Sequence, residues 1–492
     1  MTILDWLVLG IYASTMLGVG WYYSRKNRTA EDFLLGGRRM SPITVGLSLF
    51  ATLVSALSYL ANPGEMVSHG PMMATQLVAH PLIFLIVGYF LIPKIMKQPV
   101  TSAYEILETR LGSGIRFAGA AVFLMLRFGW LATILFATSQ VVLVPLLRVD
   151  EAWIPAFCIL LGTVVAVYSS IGGIKAVVIT DAIQSVTMLA GAVLTILVVS
   201  NRMGGFTEWW PQQWPEHWQK VSWGFDPTER VSFGILFVST TLWYVCTNGS
   251  DQMSIQRFLS TRDANAARTT LAVSQIADVA VSILLGITGI AILGFYVRNP
   301  ERLTEGVPAH EMGDQLFPRF IMSEMPSGLS GLVLAAILSA ALSSLSSGVN
   351  SICAVIERDI IGQYFGARVR DGDPVRRLMI LTALVTLLAV SLSLLNLFFV
   401  GNLLERCFKV INLLTAPLFV LFFLALFVPW ANSVGAWCGL VVSIIVAVLI
   451  AYTEELALGI PISFVWIIPC SLLSGVVVGS LVSYLTPRRA SV

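Results

Sequence analysis

Long apolar runs recur along the chain and are separated by short segments in which polar and charged residues collect. A helix needs about 20 mainly apolar residues to cross the hydrocarbon core of a bilayer. At that length the pattern predicts about thirteen membrane-spanning helices. They lie at 3–23, 41–63, 73–96, 117–147, 152–171, 175–200, 231–256, 269–297, 328–356, 377–398, 403–429, 433–452 and 460–486. The predicted fold class is therefore all-α and integral to a membrane.

The overall composition also indicates a membrane protein. Hydrophobic residues make up 56% of the chain and charged residues 12%, whereas soluble domains carry about 25% charged residues. A net charge of +2 gives no reason to expect a nucleic-acid partner. The first apolar segment lacks a preceding basic stretch and a small-residue cleavage site, so we expect a retained helix and not a signal peptide. We expect a single transmembrane domain, residues 1–492, surrounded by the lipid bilayer.

Basic residues collect in alternate loops, and this predicts the orientation of the chain. Cytoplasmic loops of membrane proteins are enriched in Lys and Arg. When the predicted spans are counted alternately, every loop rich in basic residues falls on one side. Those residues are Arg25, Lys26, Arg28, Arg38, Arg39, Lys94, Lys97, Arg110, Arg116, Lys175, Arg257, Arg262, Arg268, Arg358, Arg368, Arg370, Arg376, Arg377, Arg488 and Arg489. The N-terminus is predicted outside and the C-terminus inside, and the short inner loops favour a multi-pass protein of a bacterial inner membrane.

Two of the predicted spans contain polar or helix-breaking interruptions at corresponding places. The second span, FATLVSALSYLANPGE, ends in Asn62, Pro63 and Gly64. The seventh span, LWYVCTNGSDQMSIQR, is interrupted from Thr247 to Asp251. Interruptions at matching positions of two halves indicate an inverted-repeat transporter. The alternative is that both are ordinary kinks.

The ninth span contains a serine-rich stretch, ILSAALSSLSSGVNS, from Ile337 to Ser351. With an α-helix turning by 3.6 residues, its main polar side chains fall within about 100° of the helix circumference. These side chains are Ser339, Ser343, Ser346, Ser347 and Asn350. Close helix packing is the alternative explanation, since small residues and serine hydroxyls are common where membrane helices meet. The alignment of the whole set favours a binding surface over packing alone.

A face of hydroxyl groups suits a weakly held sodium ion. Hard cations prefer several oxygen ligands, and hydroxyls and backbone carbonyls supply them without a large charge. In the sixth span, Asp181 lies six residues beyond Lys175, or ~9 Å from the inner membrane surface at ~1.5 Å per residue. In the ninth span, Ser347 lies ten residues from Glu357 at the same surface, or ~15 Å deep. The two depths are close enough for these side chains to meet. An intramembrane carboxylate is a functional candidate by default. The alternative for Asp181 is a structural hydrogen bond to a neighbouring helix.

Several long motifs resemble one known family. They are TAEDFLLGGRRM, SLFATLVSALSYL, TSAYEILETRLG, YSSIGGIKAVVITDAIQ, IQRFLSTRD and GLVLAAILSAALSSLSSGVNSI. In this order they resemble the sodium:solute symporters, which include sodium–sugar, sodium–proline and bacterial sialic acid transporters, over nearly the whole chain. The resemblance implies the LeuT fold. That fold has two inverted five-helix repeats, here 41–200 and 231–429, one extra first helix, 3–23, and two additional helices within 433–486.

The resemblance also implies where sodium binds. The site shared by the family joins the second and ninth spans and corresponds to carbonyls of Ala51, Val54 and Ala340 and hydroxyls of Ser343 and Ser344. A second site, which some members have, corresponds to Asp181, Ser343, Ser346 and Ser347. The expected cofactor is Na⁺, with one or two ions per transport cycle. Ser339 and Asn350 belong to neither set, and helix packing is the better explanation for both.

For the solute, the resemblance implies a location near the middle of the membrane. The candidate contacts are Ser55, Ser58, Gln76, Arg127, Trp130, Asp251 and Gln252. Trp130 stands where the sialic acid relative has an arginine, which puts sialic acid in doubt. Arg127 lies almost one turn away, so it could substitute for that arginine, pair with Asp251 or extend towards the membrane surface.

Sodium-coupled symport by alternating access is the function that these features favour. The expected solute is a small polar organic molecule such as a sugar, sialic acid or another organic acid, and the alternative is an amino acid, a monocarboxylate or a vitamin. An enzyme is not expected, because the four histidines form no HExxH pair and no Ser–His dyad lies inside a span. A channel or a transporter-like sensor is the alternative from another class. We expect the protein to function as a monomer.

Overall fold

The computed structural model describes residues 1–24, 29–98, 100–303, 307–364, 373–398, 403–453, 455–456 and 462–486. Within these ranges the regular elements are all helical. The principal helices are α1 (Ile3–Ser24), α2 (Pro42–Leu53), α3 (Ala56–Ser68), α4 (Pro71–Met96), α5 (Ser113–Leu147), α6 (Glu151–Ser170), α7 (Gly172–Met203), α8 (Phe233–Ser250), α9 (Gln252–Leu259), α10 (Ala264–Arg298), α11 (Leu329–Tyr364), α12 (Pro374–Leu395), α13 (Leu403–Phe427), α14 (Ser433–Ala451) and α15 (Phe464–Leu485). Shorter helices between them include Ala30–Leu35, Glu105–Leu111 and Gly313–Ser323.

Every predicted span corresponds to a helix, which confirms an all-α membrane protein. Within the described residues, 10 helices are long and apolar enough to cross a membrane, or up to 11 if the bent pair α2–α3 is one span. The predicted number of about thirteen is larger. For the eleventh predicted span, the apolar helix found among the described residues is Ile411–Phe427. The seventh, which contains α8, is not among the ten, and its end is polar at Thr247, Asn248 and Ser250.

The first broken helix is interrupted earlier than the sequence pattern suggested. Helices α2 and α3 meet at 68°, with Val54 and Ser55 extended between them. The Ser55 hydroxyl accepts a hydrogen bond from Ser58 N at 3.3 Å and so caps α3. The interruption expected at Asn62–Gly64 is wrong, because Pro63 and Gly64 lie inside α3. Gly64 instead leaves room for Asp314 of the helix Gly313–Ser323, which a side chain at that position would meet.

The second broken helix is interrupted where the pattern placed it. Helix α8 ends at Ser250, and Asp251 is extended with φ −83° and ψ 126°. The Asp251 carboxylate accepts a hydrogen bond from Met253 N at 2.9 Å and caps α9. A polar residue at this point therefore starts a new helix inside the protein.

Helix α11 lies at the centre of the bundle. In its apolar window 89% of the residues are buried, against 17% for α1 at the periphery. Its neighbours among the principal helices are α1, α2, α3, α5, α6, α7, α9 and α12. At the start of α7, directly after α6, the backbone leaves the helical conformation at Gly173, whose φ of 58° favours glycine. This turn lets both helices pack against α11, where Tyr168 donates a hydrogen bond to Leu342 O at 3.1 Å.

Arg257, which served to predict the orientation, lies inside the protein and not at its surface. Arg257 belongs to α9 and its side chain is 0% exposed. Its placement as a loop cation was wrong, because α9 continues inside the protein after the break at Asp251. Seven others of that set, Arg25, Lys26, Arg28, Arg368, Arg370, Arg488 and Arg489, lie outside the described residues.

Candidate functional site

The break between α2 and α3 gathers backbone oxygens against α11. Because α2 stops at Leu53, the carbonyls at its end lose the helical partner four residues ahead. The Ser343 hydroxyl donates to Ala51 O at 2.7 Å and approaches Ala340 O at 3.3 Å. The next hydroxyl, from Ser344, donates to Val54 O at 3.0 Å and lies 3.1 Å from Thr52 O. All five residues predicted for the shared sodium site therefore meet in one place.

This first oxygen set has the chemistry of a sodium site. Carbonyl and hydroxyl oxygens provide several ligands and no full charge, which suits a hard monovalent cation held reversibly. Ala51, Ala340, Ser343 and Ser344 are completely buried. Thr52 was not predicted and adds a further carbonyl. Its position inside the motif SLFATLVSALSYL, directly before the break, is the sequence signal that could have identified it.

A second polar cluster surrounds Asp181 of α7. Its Oδ2 accepts hydrogen bonds from Ser48 Oγ at 2.6 Å, Ser347 Oγ at 3.0 Å and Arg257 Nη2 at 2.9 Å. The other oxygen, Oδ1, is buried without a hydrogen-bond partner. Asp181 and Arg257 are both 0% exposed, so they form a fully buried ion pair. One oxygen of the carboxylate thus remains available to a cation while the guanidinium holds the other.

The structure brings together only part of the predicted second sodium set. Ser347 contacts Asp181 directly, whereas Ser346 donates to Ser343 O at 3.1 Å. Among the hydrogen bonds of the described residues, none joins Ser343 or Ser346 to Asp181. Arg257 was not predicted here. It lies six residues beyond the break residue Asp251, or about 9 Å along a helix, which already places it inside the protein.

Thr52 links the two polar clusters. Its carbonyl belongs to the first set, and its hydroxyl lies 3.0 Å from Ser347 Oγ of the second. The same hydroxyl donates to Ser48 O at 2.7 Å. The side chain that ends α2 therefore connects both places where a cation could bind.

A cavity of about 260 Å³ lies beside the same break. Thr52, Leu53 and Val54 line it, together with residues of α3, α4, α5, α8, α10, α13 and α15. Its other polar lining residues include Ser58, Asn62, Gln76, His80, Arg127, Ser239, Thr240, Tyr244, Thr247, Asp278, Ser282, Asn412 and Thr415. Trp130 and Trp243 add aromatic surface. A concave site that combines apolar walls with a few polar groups is the usual form of a small-molecule site.

The predicted solute contacts divide into two groups. Ser58, Gln76, Arg127 and Trp130 line the cavity. The other three, Ser55, Asp251 and Gln252, do not, and each has a structural partner. Gln252, for example, accepts a hydrogen bond from Ala103 N at 2.8 Å and donates one to Thr101 O at 3.2 Å.

Arg127 combines an ion pair with spare hydrogen-bonding capacity. One of its terminal nitrogens, Nη2, pairs with Asp251 Oδ2. The side-chain Nε of Arg127 is buried and has no partner. Pairing with Asp251 was one of three options that the sequence left open for Arg127. Asp251 therefore caps α9 and orients Arg127 at the cavity wall.

His80, Tyr244 and Asp278 form a further polar group on the cavity wall. Tyr244 donates a hydrogen bond to Asp278 Oδ2, and His80 Nε2 lies 3.5 Å from the same oxygen. None of the three was predicted. His80 and Asp278 stand in apolar spans, and an ionisable residue there is a functional candidate by default, so a systematic search of the spans could have found them.

Comparison with known proteins decides the family. A model of the "Sodium:solute symporter family" matches residues 33–443. The chain belongs to the sodium:solute symporter family. It is therefore a sodium-coupled symporter and not an enzyme, in agreement with the motifs and with the oxygen set at the α2 break.

Relatives of this symporter match most of its length. A sodium/sialic acid symporter of Proteus mirabilis (strain HI4320) is 28% identical over 470 residues, covering 92% of this chain and 90% of the relative. The sodium-coupled monocarboxylate transporter 1 of Homo sapiens is 28% identical over 451 residues, covering 89% and 71%. A solved substrate-bound, outward-open Na⁺-coupled sialic acid symporter, described with a novel Na⁺ site, matches with a TM-score of 0.82 and 27% identity over 100% of both chains.

Proposed function

We propose that this symporter binds a small polar organic solute in the cavity beside the α2 break and carries it across the membrane with Na⁺ by alternating access. Sodium would bind to Ala51, Val54, Ala340, Ser343 and Ser344. In doing so it joins α2 to α11 and stabilises the arrangement in which the solute site is complete. Rocking of one group of helices against the other then opens the opposite side.

The observation that supports this proposal most directly is that residues of the α2 break belong both to the first oxygen set and to the cavity wall. Thr52 and Val54 offer carbonyls to Ser344 and also line the cavity. An ion that fixes these carbonyls therefore fixes part of the solute site. Thermodynamic linkage then requires that Na⁺ and the solute raise each other's affinity by the same factor.

The solute class rests on the cavity wall and on the relatives. Arg127 has an unpartnered Nε and suits a carboxylate, and Trp130 suits a sugar ring or another flat face. The printed names of the relatives include sialic acid and monocarboxylates. A sugar, sialic acid or another organic acid is the leading proposal, and an amino acid or a vitamin is the alternative.

A second Na⁺ at Asp181 is the finer part of the proposal. Oδ1 of Asp181 has no hydrogen-bond partner and would face the ion, with oxygens of Ser343, Ser346 and Ser347 as further ligands. Because Arg257 already neutralises Asp181, this site has little net charge to attract a cation. We therefore propose that the second ion binds more weakly than the first.

The proposed architecture is the LeuT fold with about thirteen spans. The inverted repeats would occupy 41–200 and 231–429, with 3–23 before them and 433–486 after them. Two broken helices, α2–α3 and α8–α9, begin the proposed repeats and support this division. We propose that the N-terminus lies outside, that the C-terminus lies inside, and that the protein functions as a monomer in a bacterial inner membrane.

Uptake into proteoliposomes tests the proposed function. The purified full chain is reconstituted and an inward Na⁺ gradient is imposed, with a K⁺ gradient as the control. N-acetylneuraminic acid, D-glucose, L-lactate and L-alanine are supplied as labelled solutes. The proposal expects one of these classes to accumulate only in the Na⁺ gradient. Equal uptake in Na⁺ and K⁺ would contradict symport and favour a channel.

A further inference from the structure

The polar group formed by His80, Tyr244 and Asp278 has no role in the proposed sodium sites. It lies on α4, α8 and α10, whereas Arg127 belongs to α5. Two contacts within the group converge on one atom, Oδ2 of Asp278: Tyr244 donates a hydrogen bond to it and His80 Nε2 lies 3.5 Å away. On its other side, His80 Nδ1 contacts Gln275 Oε1. These contacts fix the orientation of the Asp278 carboxylate.

The second carboxylate oxygen of Asp278, Oδ1, has no protein partner in the described part of the chain that would compete with a ligand. No hydrogen bond among the described residues uses Oδ1 of Asp278. The Asp278 side chain is 13% exposed and lines the cavity. A carboxylate oxygen in a mostly apolar wall is costly unless a donor reaches it.

Arg127 and Asp278 provide the cavity wall with one hydrogen-bond donor group and one acceptor group. Arg127 has a donor without a partner, Nε, and Asp278 has an acceptor, Oδ1, that no hydrogen bond of the described residues uses. A solute that carries both a carboxylate and a hydrogen-bond donor satisfies both. A plain monocarboxylate would leave Oδ1 without a donor.

We propose that Asp278 binds the hydrogen-bond donor of the solute, an ammonium or a hydroxyl group, while Arg127 binds its carboxylate. Tyr244 and His80 are positioning residues, because they hold Oδ2 and turn Oδ1 towards the cavity. The solute class is thereby narrowed to small carboxylic acids that bear an amino or hydroxyl group. This inference rests on the proposed function and names the substrate class of the same cavity.

Matched series of acids test the inference in proteoliposomes that contain the full chain. Propionate, L-lactate and L-alanine share a three-carbon carboxylate skeleton and differ only in the group at the second carbon. The 3-phenyl derivatives of these three acids (3-phenylpropionate, phenyllactate and phenylalanine) and N-acetylneuraminic acid extend the test to larger solutes. Na⁺-driven uptake of an acid with a donor should exceed that of its unsubstituted partner at least tenfold, since a buried polar group left unpaired discriminates strongly. L-alanine against L-lactate distinguishes an ammonium from a hydroxyl.

Two variants test whether Asp278 is the group that distinguishes acids with a hydrogen-bond donor from acids without one. Asp278→Asn should reduce the preference for the donor-bearing acid at least tenfold, and Tyr244→Phe should reduce it less. The Na⁺-induced thermal shift should persist in both, which shows that they fold. Asp226→Asn, on the exposed loop, is the control and should change nothing.

Three results overturn the inference while leaving symport intact. They are equal uptake of propionate and its substituted partners, unchanged discrimination in Asp278→Asn, and Na⁺-driven uptake of D-glucose with none of the acids. If no supplied solute, sugar or acid, moves in the Na⁺ gradient, the proposed function and the inference both fail.

Discussion

At the scale of single residues, the serines of α11 have different partners and hence different expected roles. Ser343 and Ser344 reach the carbonyls of the α2 break, and Ser347 reaches Asp181. Ser339 donates to Ala335 O at 2.7 Å and lies 3.0 Å from the Tyr12 hydroxyl, so it serves helix packing. The polar face was predictable from its 3.6-residue period. Which oxygen each hydroxyl contacts depends on the break in α2, which periodicity does not locate.

Replacing Ser343 by Ala should weaken sodium binding at the first oxygen set. One ligand is lost to a cation, and an interaction with a charged group is worth about 1.5–3 kcal/mol. The Na⁺ concentration for half-maximal uptake should therefore rise on the order of tenfold to a hundredfold. Ser339→Ala is the matched control on the same helix. An unchanged Na⁺ dependence in Ser343→Ala would rule out its place in the site.

The Asp181–Arg257 pair should be essential for stability as well as for the second ion. Asp181→Asn leaves a buried guanidinium unpaired, which costs about 3–5 kcal/mol. Thermal unfolding in detergent should detect this loss, and adding Arg257→Gln should recover part of it. The control is Glu208→Gln, which breaks the exposed pair with Arg298 and should cost less than about 1 kcal/mol. If Asp181→Asn and Glu208→Gln lower the melting temperature equally, the buried pair does not stabilise the protein more than the exposed pair does.

At the scale of helices, the sequence located one break and missed the other. The polar residues at the end of α8 mark the second break, because Asp251 caps the helix that follows. In the first broken helix, Pro63 and Gly64 suggested a break that the structure does not have there. Neither Val54 nor Ser55 is a helix-breaking residue type, so the sequence at the true break gives a weaker signal than Pro63 and Gly64 do. Their extended backbone is imposed by the packing of α2 and α3 on α11, which a single sequence does not reveal.

The contact between α14 and α15 depends on glycines. A Cβ added at Gly439 would lie 2.7 Å from Gly475 O and 3.1 Å from Gly479 Cα. Gly439→Val should therefore separate the two helices and destabilise the protein by about 1–3 kcal/mol. Gly10→Val is the control, since a Cβ there meets nothing within 4 Å. The melting temperatures of both variants in detergent check this, and equal values would refute close packing at Gly439.

At the scale of the whole molecule, the hydropathy pattern determined the fold class and the motifs determined the family. The resemblance identified only part of the cavity wall, namely Ser58, Gln76, Arg127 and Trp130. The residues of the whole wall come from seven helices and the α2 break, and that His80, Asn412 and Asp278 face one cavity is evident only when the helices are assembled. The buried position of Arg257 was missed for the same reason, since α9 enters the protein after a break that hydropathy treats as a loop.

The central claim is that sodium and the solute bind at sites that share the α2 break and therefore depend on each other. The most direct test is a pair of binding titrations with the purified full chain, using the acid that gives the greatest Na⁺-driven uptake. One measures the solute Kd in Na⁺ and in K⁺, and the other measures the Na⁺ Kd with and without the solute. The two affinity ratios should be equal and about 5- to 150-fold. A solute Kd that is the same in Na⁺ and in K⁺ would contradict the account.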